Sequence, residues 1–394
     1  MISVAEALDR ALALVGPLPS ETVDLQDAAG RVLAEAILAK LRQPPFPASA
    51  MDGYAVAGDP DKDANLIVIG ESAAGRRFDG TVGAGQAVRV FTGAPVPEGA
   101  TRVVVQEDVT AAGGRITLIA SANGPSNIRA AGQDFDIGTA MTPRLLRPAD
   151  LALLAAMNHP SVPVIRKPVV AIMATGDELA MPGATLGPDQ IVSSNSFALK
   201  AMVEGCGGSA RLLPIASDSE DSLRTVFGLT AGADLIVTIG GASVGDHDLV
   251  GRVAESLGME RAFWKIAMRP GKPLMAGRLG SGTPLLGLPG NPVSAFVCAH
   301  LFLMPMLRRM LGLAAVKPPV WRARLAVDLA PGGPRAHYMR SRLATAPDGS
   351  RTITPMPNQD SALLSVLTDA DALLIQPVDA PSMPAGTLVD YLPI

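Results

Sequence analysis

Carboxylate side chains gather at a few short turns in the middle of this chain. Glu178, Asp218 and Asp248 each come at or just beyond the end of an apolar run typical of a β-strand or of the turn after it. Hard oxygen ligands suit Mg²⁺, which proteins hold with one or two carboxylates together with phosphate oxygens and water. Asp218 could instead cap the helix that follows it. A magnesium site and helix capping are therefore both open.

A glycine-rich turn, GGASVG at residues 240–245, follows another apolar run. Gly240, Gly241 and Gly245 would let backbone N–H groups approach a phosphate, while the Ser243 hydroxyl could donate a further hydrogen bond. The spacing matches neither the dinucleotide fingerprint nor the Walker P-loop. The turn predicts a site for a phosphate or a phosphorylated cofactor, and the alternative is a tight turn that needs glycine for positive φ.

Basic residues form a third group. Lys265, Arg269 and Lys272 fall within one predicted strand and the turn RPGKP at 269–273 that follows it. At strand spacing Lys265 and Arg269 would share a face, so that both could point at one anion. Arginine offers a planar fork to an oxyanion and lysine a compact charge. We expect an oxyanion site here, with a solvated basic edge as the alternative.

The elements that position these residues alternate between strand and helix. The predicted strands are 169–174, 211–216, 235–239 and 284–288, and the predicted helices are 196–204, 220–229, 248–257 and a long helix after residue 288. This alternation implies a mostly parallel sheet covered on both faces. Ligands bind such sheets outside the carboxyl ends of the strands, where the turns listed above would meet, together with LPGNP at 288–292.

The regions on either side have different patterns. Residues 4–38 predict two helices separated by Gly16 and Pro17, residues 54–139 predict short strands, and residues after 318 predict a β-sandwich or partly open barrel. The fold class is therefore multidomain α/β plus β: a central mostly parallel α/β domain, a small inserted β module and a C-terminal β-barrel or sandwich. The predicted domains are 1–44 with 140–167 (helical, linking), 45–139 (inserted β module), 168–317 (α/β) and 318–394 (β-barrel).

Composition excludes several classes of function. Lys plus Arg number 33 against 37 Asp plus Glu, with no long run of one sign, so we expect no nucleic-acid surface. The two cysteines, Cys206 and Cys298, fit buried thiols in a reducing compartment. The first residues predict an amphipathic helix rather than a signal peptide, and the apolar stretch 296–307 predicts a buried helix. We expect a cytoplasmic protein with no membrane segment.

Seven motifs together resemble the molybdopterin molybdenumtransferase family, which includes the C-terminal part of gephyrin. They occur in the same order along nearly the whole chain: SAMDGYA at 49–55, FTGA at 91–94, AGQD at 131–134, TGDEL at 175–179, GGASVG at 240–245, RPGKP at 269–273 and GLPGNP at 287–292. On residue chemistry alone, the two motifs at 49–55 and 91–94 are loops that a ligand or another surface could approach closely.

The resemblance implies an activity. The family converts adenylylated molybdopterin and molybdate into molybdenum cofactor and AMP, assisted by magnesium, in an elongated homodimer whose active cleft lies between the α/β domain of one subunit and the N-terminal modules of the other. Molybdopterin adenylyltransferase and acceptor molybdoenzymes are implied as possible protein partners. By motif position, the family's functional residues fall on Asp52, Thr92, Asp134, Glu178, Asp218, Asp248, Lys265 and Arg269, with Pro289, Gly290, Asn291 and Pro292 near the pterin.

Three alternatives stay open. A molybdopterin adenylyltransferase shares the α/β domain, but the N-terminal modules and β tail count against it. A gephyrin-like scaffold with little catalysis would be expected to carry a long disordered linker or a second α/β domain, and neither is evident. A pyridine-nucleotide amidohydrolase related through the α/β domain is disfavoured by the N-terminal motifs.

Overall fold

The computed structural model describes residues 1–241 and 249–394 and divides into two compact units. Unit 1 comprises Met1–Glu21, Gly30–Ala34 and Val164–Ile394, and unit 2 comprises Thr22–Ala29 and Glu35–Pro163. The four domain borders drawn from the sequence remain a prediction. Each unit has its own sheets and its own apolar core.

The described residues form the following elements. The helices are α1 (Val4–Ala13), α2 (Pro148–Ala156), α3 (Asn195–Gly205), α4 (Glu220–Gly228), α5 (Leu249–Ser256), α6 (Pro292–Cys298), α7 (Met304–Met310) and α8 (Leu364–Thr368). The strands before residue 166 are β1 (Ser20–Asp24), β2 (Ile37–Leu38), β3 (Ala48–Ser49), β4 (Gly53–Val56), β5 (Asn65–Ser72), β6 (Gln86–Val90), β7 (Arg102–Val105), β8 (Val109–Ala112), β9 (Arg115–Leu118), β10 (Ile128–Arg129), β11 (Ala140–Met141) and β12 (Ser161–Ile165). The later strands are β13 (Val169–Ala174), β14 (Leu179–Ala180), β15 (Ile191–Val192), β16 (Ser209–Leu212), β17 (Leu235–Ile239), β18 (Glu260–Trp264), β19 (Met268–Arg269), β20 (Met275–Arg278), β21 (Pro284–Leu288), β22 (Trp321–Leu325), β23 (Ala336–Thr345), β24 (Arg351–Pro355), β25 (Ala372–Gln376) and β26 (Leu388–Pro393).

The central sheet of unit 1 has the order β16-β13-β17-β21-β20-β18. The first four strands are mutually parallel and the last two are antiparallel to their neighbours. Side chains alternate between its faces, as strand geometry requires. Ile172 packs into the core that includes residues of α1, α3, α6 and α7, whereas Met173 packs into the core that includes residues of α4 and α5. The predicted mostly parallel sheet with helices on both faces is confirmed.

The most apolar helix is part of this core. The helical segment Pro292–Met310 comprises α6, a π-helical turn at Ala299–Leu303, and α7. Among the described residues, it is the one helix long and apolar enough to span a bilayer, and most of it is buried inside the protein. Phe302 and Leu303 have no exposed surface. The predicted buried helix is confirmed.

The C-terminal strands close on themselves. Their order is β19-β23-β24-β22-β26-β25, and β23 also pairs with β25, so that five strands form a closed barrel to which β19 adds an edge. Ile353, Leu374 and Tyr391 fill its interior. The predicted C-terminal β-barrel is confirmed, and the structure adds strand β24, which the sequence analysis did not predict.

Unit 2 contains a six-stranded sheet with the order β7-β4-β6-β5-β9-β8. Its two faces cover separate apolar clusters, because alternate residues such as Ala55 and Val56 point to opposite sides. The inserted β module that the predicted fold class contains is confirmed. Strands β4 and β8 were not predicted.

One prediction about the N-terminal segment is wrong. Residues 17–38 do not contain a second helix; they form β1, a short 3₁₀ turn at Leu25–Asp27, and β2. The β-branched Thr22 and Val23 favour the extended backbone of β1. Gly30 has a φ of +69°, which a helix does not accommodate.

Candidate functional site

The turns predicted to converge do lie at one edge of the central sheet. The register aligns Met173 with Thr238 and Thr238 with Gly287, so β13, β17 and β21 end together. Thr175 bridges to Ala216, which brings the turn after β16 to the same edge. These four turns each contribute residues to one cavity. The convergence predicted from the sequence is therefore confirmed for four of the five turns, and the fifth contributes only Pro273 to the lining.

The cavity has a volume of about 780 Å³ and lies within unit 1. The starts of two helices lie at it, with Ser193, Ser194 and Asn195 at α3 and Pro289, Gly290, Asn291 and Pro292 at α6, and Leu249 of α5 lines it as well. The first N–H groups of a helix have no partner within the helix and carry the positive end of its dipole. The start of α3 therefore offers backbone donors to an anion, whereas at the start of α6 Pro292 has no N–H and the Val293 N–H donates to the Ser361 carbonyl.

Gly240 and Gly241 shape the floor of the cavity. Their φ angles are +87° and +65°, which L side chains rarely adopt. A Cβ on Gly240 would lie 2.9 Å from the Thr175 carbonyl oxygen, and one on Gly241 would lie 2.2 Å from a methyl carbon of Val250. These glycines therefore have a structural role, and both also line the cavity, where a ligand can approach their backbone. Ser243 and Gly245 lie outside the described residues.

Glu178 lies against the backbone of its own turn. A Cβ on Gly176 would be 2.2 Å from a carboxylate oxygen of Glu178, so only glycine leaves room for this side-chain position. Gly176 itself has a φ of +145°, and its N–H donates to the Ala216 carbonyl. The turn thus holds the exposed Glu178 carboxylate at the cavity lining.

Asp218 also lines the cavity, and the structure shows that it does not cap α4. The N-cap is Ser219, whose hydroxyl accepts from the Ser222 N–H at 3.3 Å. The Asp218 N–H donates to the Asp177 carboxylate at 3.0 Å, so Asp177 fixes the turn while the Asp218 carboxylate is left for other partners. The capping alternative is therefore wrong for Asp218.

Two carboxylates at one cavity fit magnesium, which needs only one or two when phosphate oxygens and water complete its shell. Within residues 1–241 and 249–394 there is no group of three or more potential metal ligands. Asp248, the third predicted ligand, lies outside the described residues. The donor set that the structure describes is thus Glu178 and Asp218.

The turn before α6 connects the central sheet to the barrel region. The Asn195 amide donates to the Gly290 carbonyl at 2.6 Å, and the Asn291 amide donates to the Ser361 hydroxyl at 3.0 Å. Asn291 makes no side-chain cap to α6, because its amide is directed to Ser361. The predicted residues 289–292 all line the cavity, and the sequence analysis missed two other lining residues, Asn195 and Arg252, as well as Ser361, which holds Asn291. Asn195 directly precedes the predicted helix 196–204, which was a usable signal.

The basic residues occupy a different setting, residues 265–274, which we call the basic hairpin. The prediction that Lys265 and Arg269 share one strand is wrong. Lys265 has a φ of +68° and follows the end of β18, whereas Arg269 belongs to β19 and pairs with His337 of β23. Lys265, Arg269 and Lys272 are not among the described residues that line the cavity. The positive φ turns the chain out of the central sheet toward the barrel.

Cationic groups surround His337 beside the basic hairpin. Burial is the main cause that lowers the pKa of His337 to about 4, and Arg269, Arg335 and Arg340 lower it further. Lys265 lies with its ammonium 3.8 Å from the centre of the Trp264 ring. The positive groups near His337 make this region a suitable place for an oxyanion.

In unit 2 the structure brings Asp52 and Thr92 together. One Asp52 carboxylate oxygen accepts from the Thr92 N–H at 2.7 Å and from its hydroxyl at 2.9 Å. These two hydrogen bonds lower the pKa of Asp52, with a smaller contribution from Arg89. Asp134 is exposed in a turn, where its N–H donates to the Gln43 carbonyl.

Comparisons with known proteins cover nearly the whole chain. Residues 2–158 match the MoeA N-terminal region (domain I and II), residues 171–309 match a probable molybdopterin binding domain, and residues 322–394 match the MoeA C-terminal region (domain IV). Molybdopterin molybdenumtransferases from Nostoc sp. and Haemophilus influenzae are 35% and 34% identical over 95% and 96% of this chain, and the matches cover 89% and 95% of those proteins.

A solved structure gives the same result. The molybdopterin biosynthesis MoeA protein from Pyrococcus horikoshii OT3 matches with a TM-score of 0.83 at 27% identity, covering 100% of both chains. The resemblance first indicated by seven short motifs thus extends to sequence identity and fold over the full length. The chain belongs to the molybdopterin molybdenumtransferase (MoeA) family.

Proposed function

We propose that this protein inserts molybdate into adenylylated molybdopterin and releases AMP, forming molybdenum cofactor. The observation that carries the proposal is the cavity of unit 1, which Glu178 and Asp218 line together with Gly240, Gly241 and the start of α3. Its volume lies in the range of small-molecule sites. The full-length relatives are named for this transferase activity.

The adenylylated pterin would bind across the sheet edge. Its phosphoanhydride would lie at Gly240 and Gly241, where backbone N–H groups can approach, and its pterin would lie along Pro289 and Pro292. Asn195 and Asn291 hold this wall through their hydrogen bonds to Gly290 and Ser361. These residues orient the substrate, and proximity then lowers the barrier to reaction with molybdate.

Glu178, Asp218 and Asp248 are the residues that we propose to hold magnesium. When bound, the cation would supply charge stabilisation to the phosphate oxygens of the substrate. The Asp177 carboxylate keeps the Asp218 backbone in place through a 3.0 Å hydrogen bond. Gly176 leaves the space in which Glu178 lies.

The basic hairpin would hold molybdate. Arg269 offers a planar pair of donors to a tetrahedral oxyanion, and Lys265 and Lys272 add compact positive charge. The location of Arg269 beside His337 and Arg335 supports this assignment, since no acid contributes to the low pKa of His337.

The protein would act as a homodimer with Asp52, Thr92 and Asp134 reaching the site of the other subunit. The hydrogen bonds from Thr92 lower the pKa of Asp52 and keep its carboxylate ionised, which a charged role at such a site requires. Molybdopterin adenylyltransferase and acceptor molybdoenzymes are the proposed protein partners. A cytoplasmic location is supported by Cys206 and Cys298, which are both free thiols, with Cys298 fully buried.

The test is to incubate the purified protein with adenylylated molybdopterin, magnesium and molybdate. AMP release and activation of a molybdenum-free acceptor enzyme are then followed together. We expect release to depend on molybdate and to coincide with activation. An adenylate that binds but stays intact would point to a scaffold, and joining of ATP to free molybdopterin would point to an adenylyltransferase.

A further inference from the structure

One charged residue that lines the cavity, Arg252, belongs to none of the motifs and has no part in the proposed function. Glu178, Asp218 and Arg252 are the charged side chains among the described lining residues, so Arg252 is the one described cation there. The two lysines and the arginine of the basic hairpin do not line this cavity in the described part of the chain. A substrate with an ionised phosphoanhydride would therefore meet two carboxylates and one cationic side chain among the described lining residues.

The position of Arg252 on α5 follows from the helix pattern. Val250, Val253 and Ala254 are buried in the core on one side of the sheet, and Arg252 is exposed on the opposite face of the helix. The natural local partner of Arg252 is Glu255, three residues later. Glu255 instead bonds to Arg261 at 2.7 Å.

Arg252 is consequently available to a ligand. Across residues 1–241 and 249–394 it makes no side-chain hydrogen bond or ion pair, although two acids line the same cavity. The Glu255–Arg261 pair keeps the neighbouring acid occupied. A guanidinium in this setting is suited to a doubly hydrogen-bonded contact with a phosphate group.

We propose that Arg252 binds the phosphate of the adenylate moiety, both in the adenylylated substrate and in the product AMP. The proposal rests on the proposed function for the identity of the nucleotide. Molybdate is assigned to the separate basic hairpin, so the chemistry left for a cation inside this cavity is that of phosphate. Arg252 acts here as a binding residue that compensates the repulsion between the phosphates and the carboxylates of Glu178 and Asp218.

The experiment measures binding rather than turnover. The affinities of the full-length protein for AMP, adenosine and molybdopterin are determined by titration calorimetry for wild type, Arg252→Gln and Arg252→Lys. The matched control is Arg224→Gln, which removes the same charge from an exposed position on α4 outside the lining. Thermal melting checks that the variants are folded, which we expect because Arg252 is exposed.

Loss of a charge-assisted phosphate contact should weaken AMP binding at least about 10-fold in Arg252→Gln and less in Arg252→Lys. Adenosine binding and the control should stay unchanged. Unchanged AMP affinity in Arg252→Gln overturns the proposal, as does a loss confined to molybdopterin, which would assign the residue to the pterin phosphate. AMP binding through Arg252 in a protein without molybdate-dependent AMP release would keep this inference and reject the proposed function.

Discussion

The acidic turns and the basic hairpin of unit 1 follow strands of the same sheet, yet they end in different surroundings. Glu178 and Asp218 come after parallel strands, and both line the cavity. Lys265 follows β18, which is antiparallel to its neighbour β20, and Arg269 pairs with the barrel strand β23. The acidic side chains therefore lie at the edge of the central sheet, whereas the basic hairpin runs from that sheet to the barrel.

The difference has a chemical consequence. A substrate phosphoanhydride and a molybdate oxyanion are both negative, and a single site would have to hold them against their mutual repulsion. Separate settings allow carboxylates to serve a metal and cationic groups to serve an oxyanion. We therefore expect substitutions in the two regions to affect different kinetic parameters.

The largest effect should come from the acidic turns. Glu178→Gln and Asp218→Asn should each lower the rate of AMP release by about 100-fold, because each removes a charge proposed to hold magnesium. The magnesium concentration for half-maximal rate should rise, while the apparent KM for molybdate should change little. Steady-state kinetics with magnesium and molybdate varied separately measures both.

The control is Asp221→Asn, an acid of the first turn of α4 outside the cavity lining. Normal rates for Asp218→Asn at limiting magnesium would remove the metal role.

A smaller effect with the opposite pattern is expected in the basic hairpin. Arg269→Gln or Lys265→Gln should raise the apparent KM for molybdate about 10-fold to 30-fold, since one charge-assisted contact is lost. The magnesium dependence and the affinity for the adenylylated pterin should be preserved. Lys167→Gln, at an exposed position, controls for the change in net charge. If Arg269→Gln changed the magnesium dependence instead, the two regions would form one site and the comparison would fail.

The positions of the acidic turns could largely be predicted from the sequence, because they depend on short-range patterns of apolar and polar residues. Apolar runs of strand length, each followed by a polar turn, place their ends at one sheet edge, and this prediction holds for Glu178, Asp218 and residues 289–292. The basic hairpin could not be predicted in the same way. A lysine at positive φ is uncommon, and nothing in the local pattern around Lys265 indicates it.

Pairing between distant segments accounts for the other misses. Strand β4 begins at Gly53, whose glycine weakens the strand signal, yet a Cβ there would lie 2.0 Å from the Val104 carbonyl. The closing contact of the barrel joins β23 to β25 across an intervening strand and helix. Arg252 was missed because the role proposed for it depends on a tertiary contact, in which Glu255 pairs with Arg261 and not with its helix neighbour Arg252. Such features are set by tertiary contacts rather than by local propensity.

The two regions should be alike in one respect, because each contains a glycine in a closely packed turn. Gly241 faces Val250, whose branched side chain is stiff, and a Cβ on Gly271 would lie 2.3 Å from the buried Cys298 sulfur. Gly241→Ala and Gly271→Ala should each reduce the free energy of unfolding by about 2 kcal/mol, through positive φ and overpacking. Thermal or denaturant unfolding measures the loss. Gly205→Ala in α3, with open space around it, should cost nothing or stabilise. Equal stability of all three variants would contradict this account of the turns.

The smallest expected effect is a change of stability with pH, caused by protonation of His337 beside the basic hairpin. The pKa of His337 is about 4 in the folded protein and 6.5 in a model peptide, so between these values the unfolded chain binds more protons. Stability should therefore fall as pH is lowered from 7.5 to 5, and His337 should account for on the order of 1 kcal/mol of the loss after allowance for solvent screening. The difference in melting temperature between wild type and His337→Gln at the two pH values isolates this share.

The same comparison of melting temperatures, repeated with molybdate, tests whether the oxyanion binds at the basic hairpin. An oxyanion bound at Arg269 would offset the cationic groups near His337 and raise its pKa, so the acid sensitivity that His337 confers should shrink when molybdate is present. The acids proposed to bind magnesium offer the comparison, because magnesium alone should leave the difference between wild type and His337→Gln unchanged. A difference that does not respond to molybdate would place the oxyanion away from the basic hairpin, and one that responds to magnesium would place the cation near His337 instead of at the acidic turns.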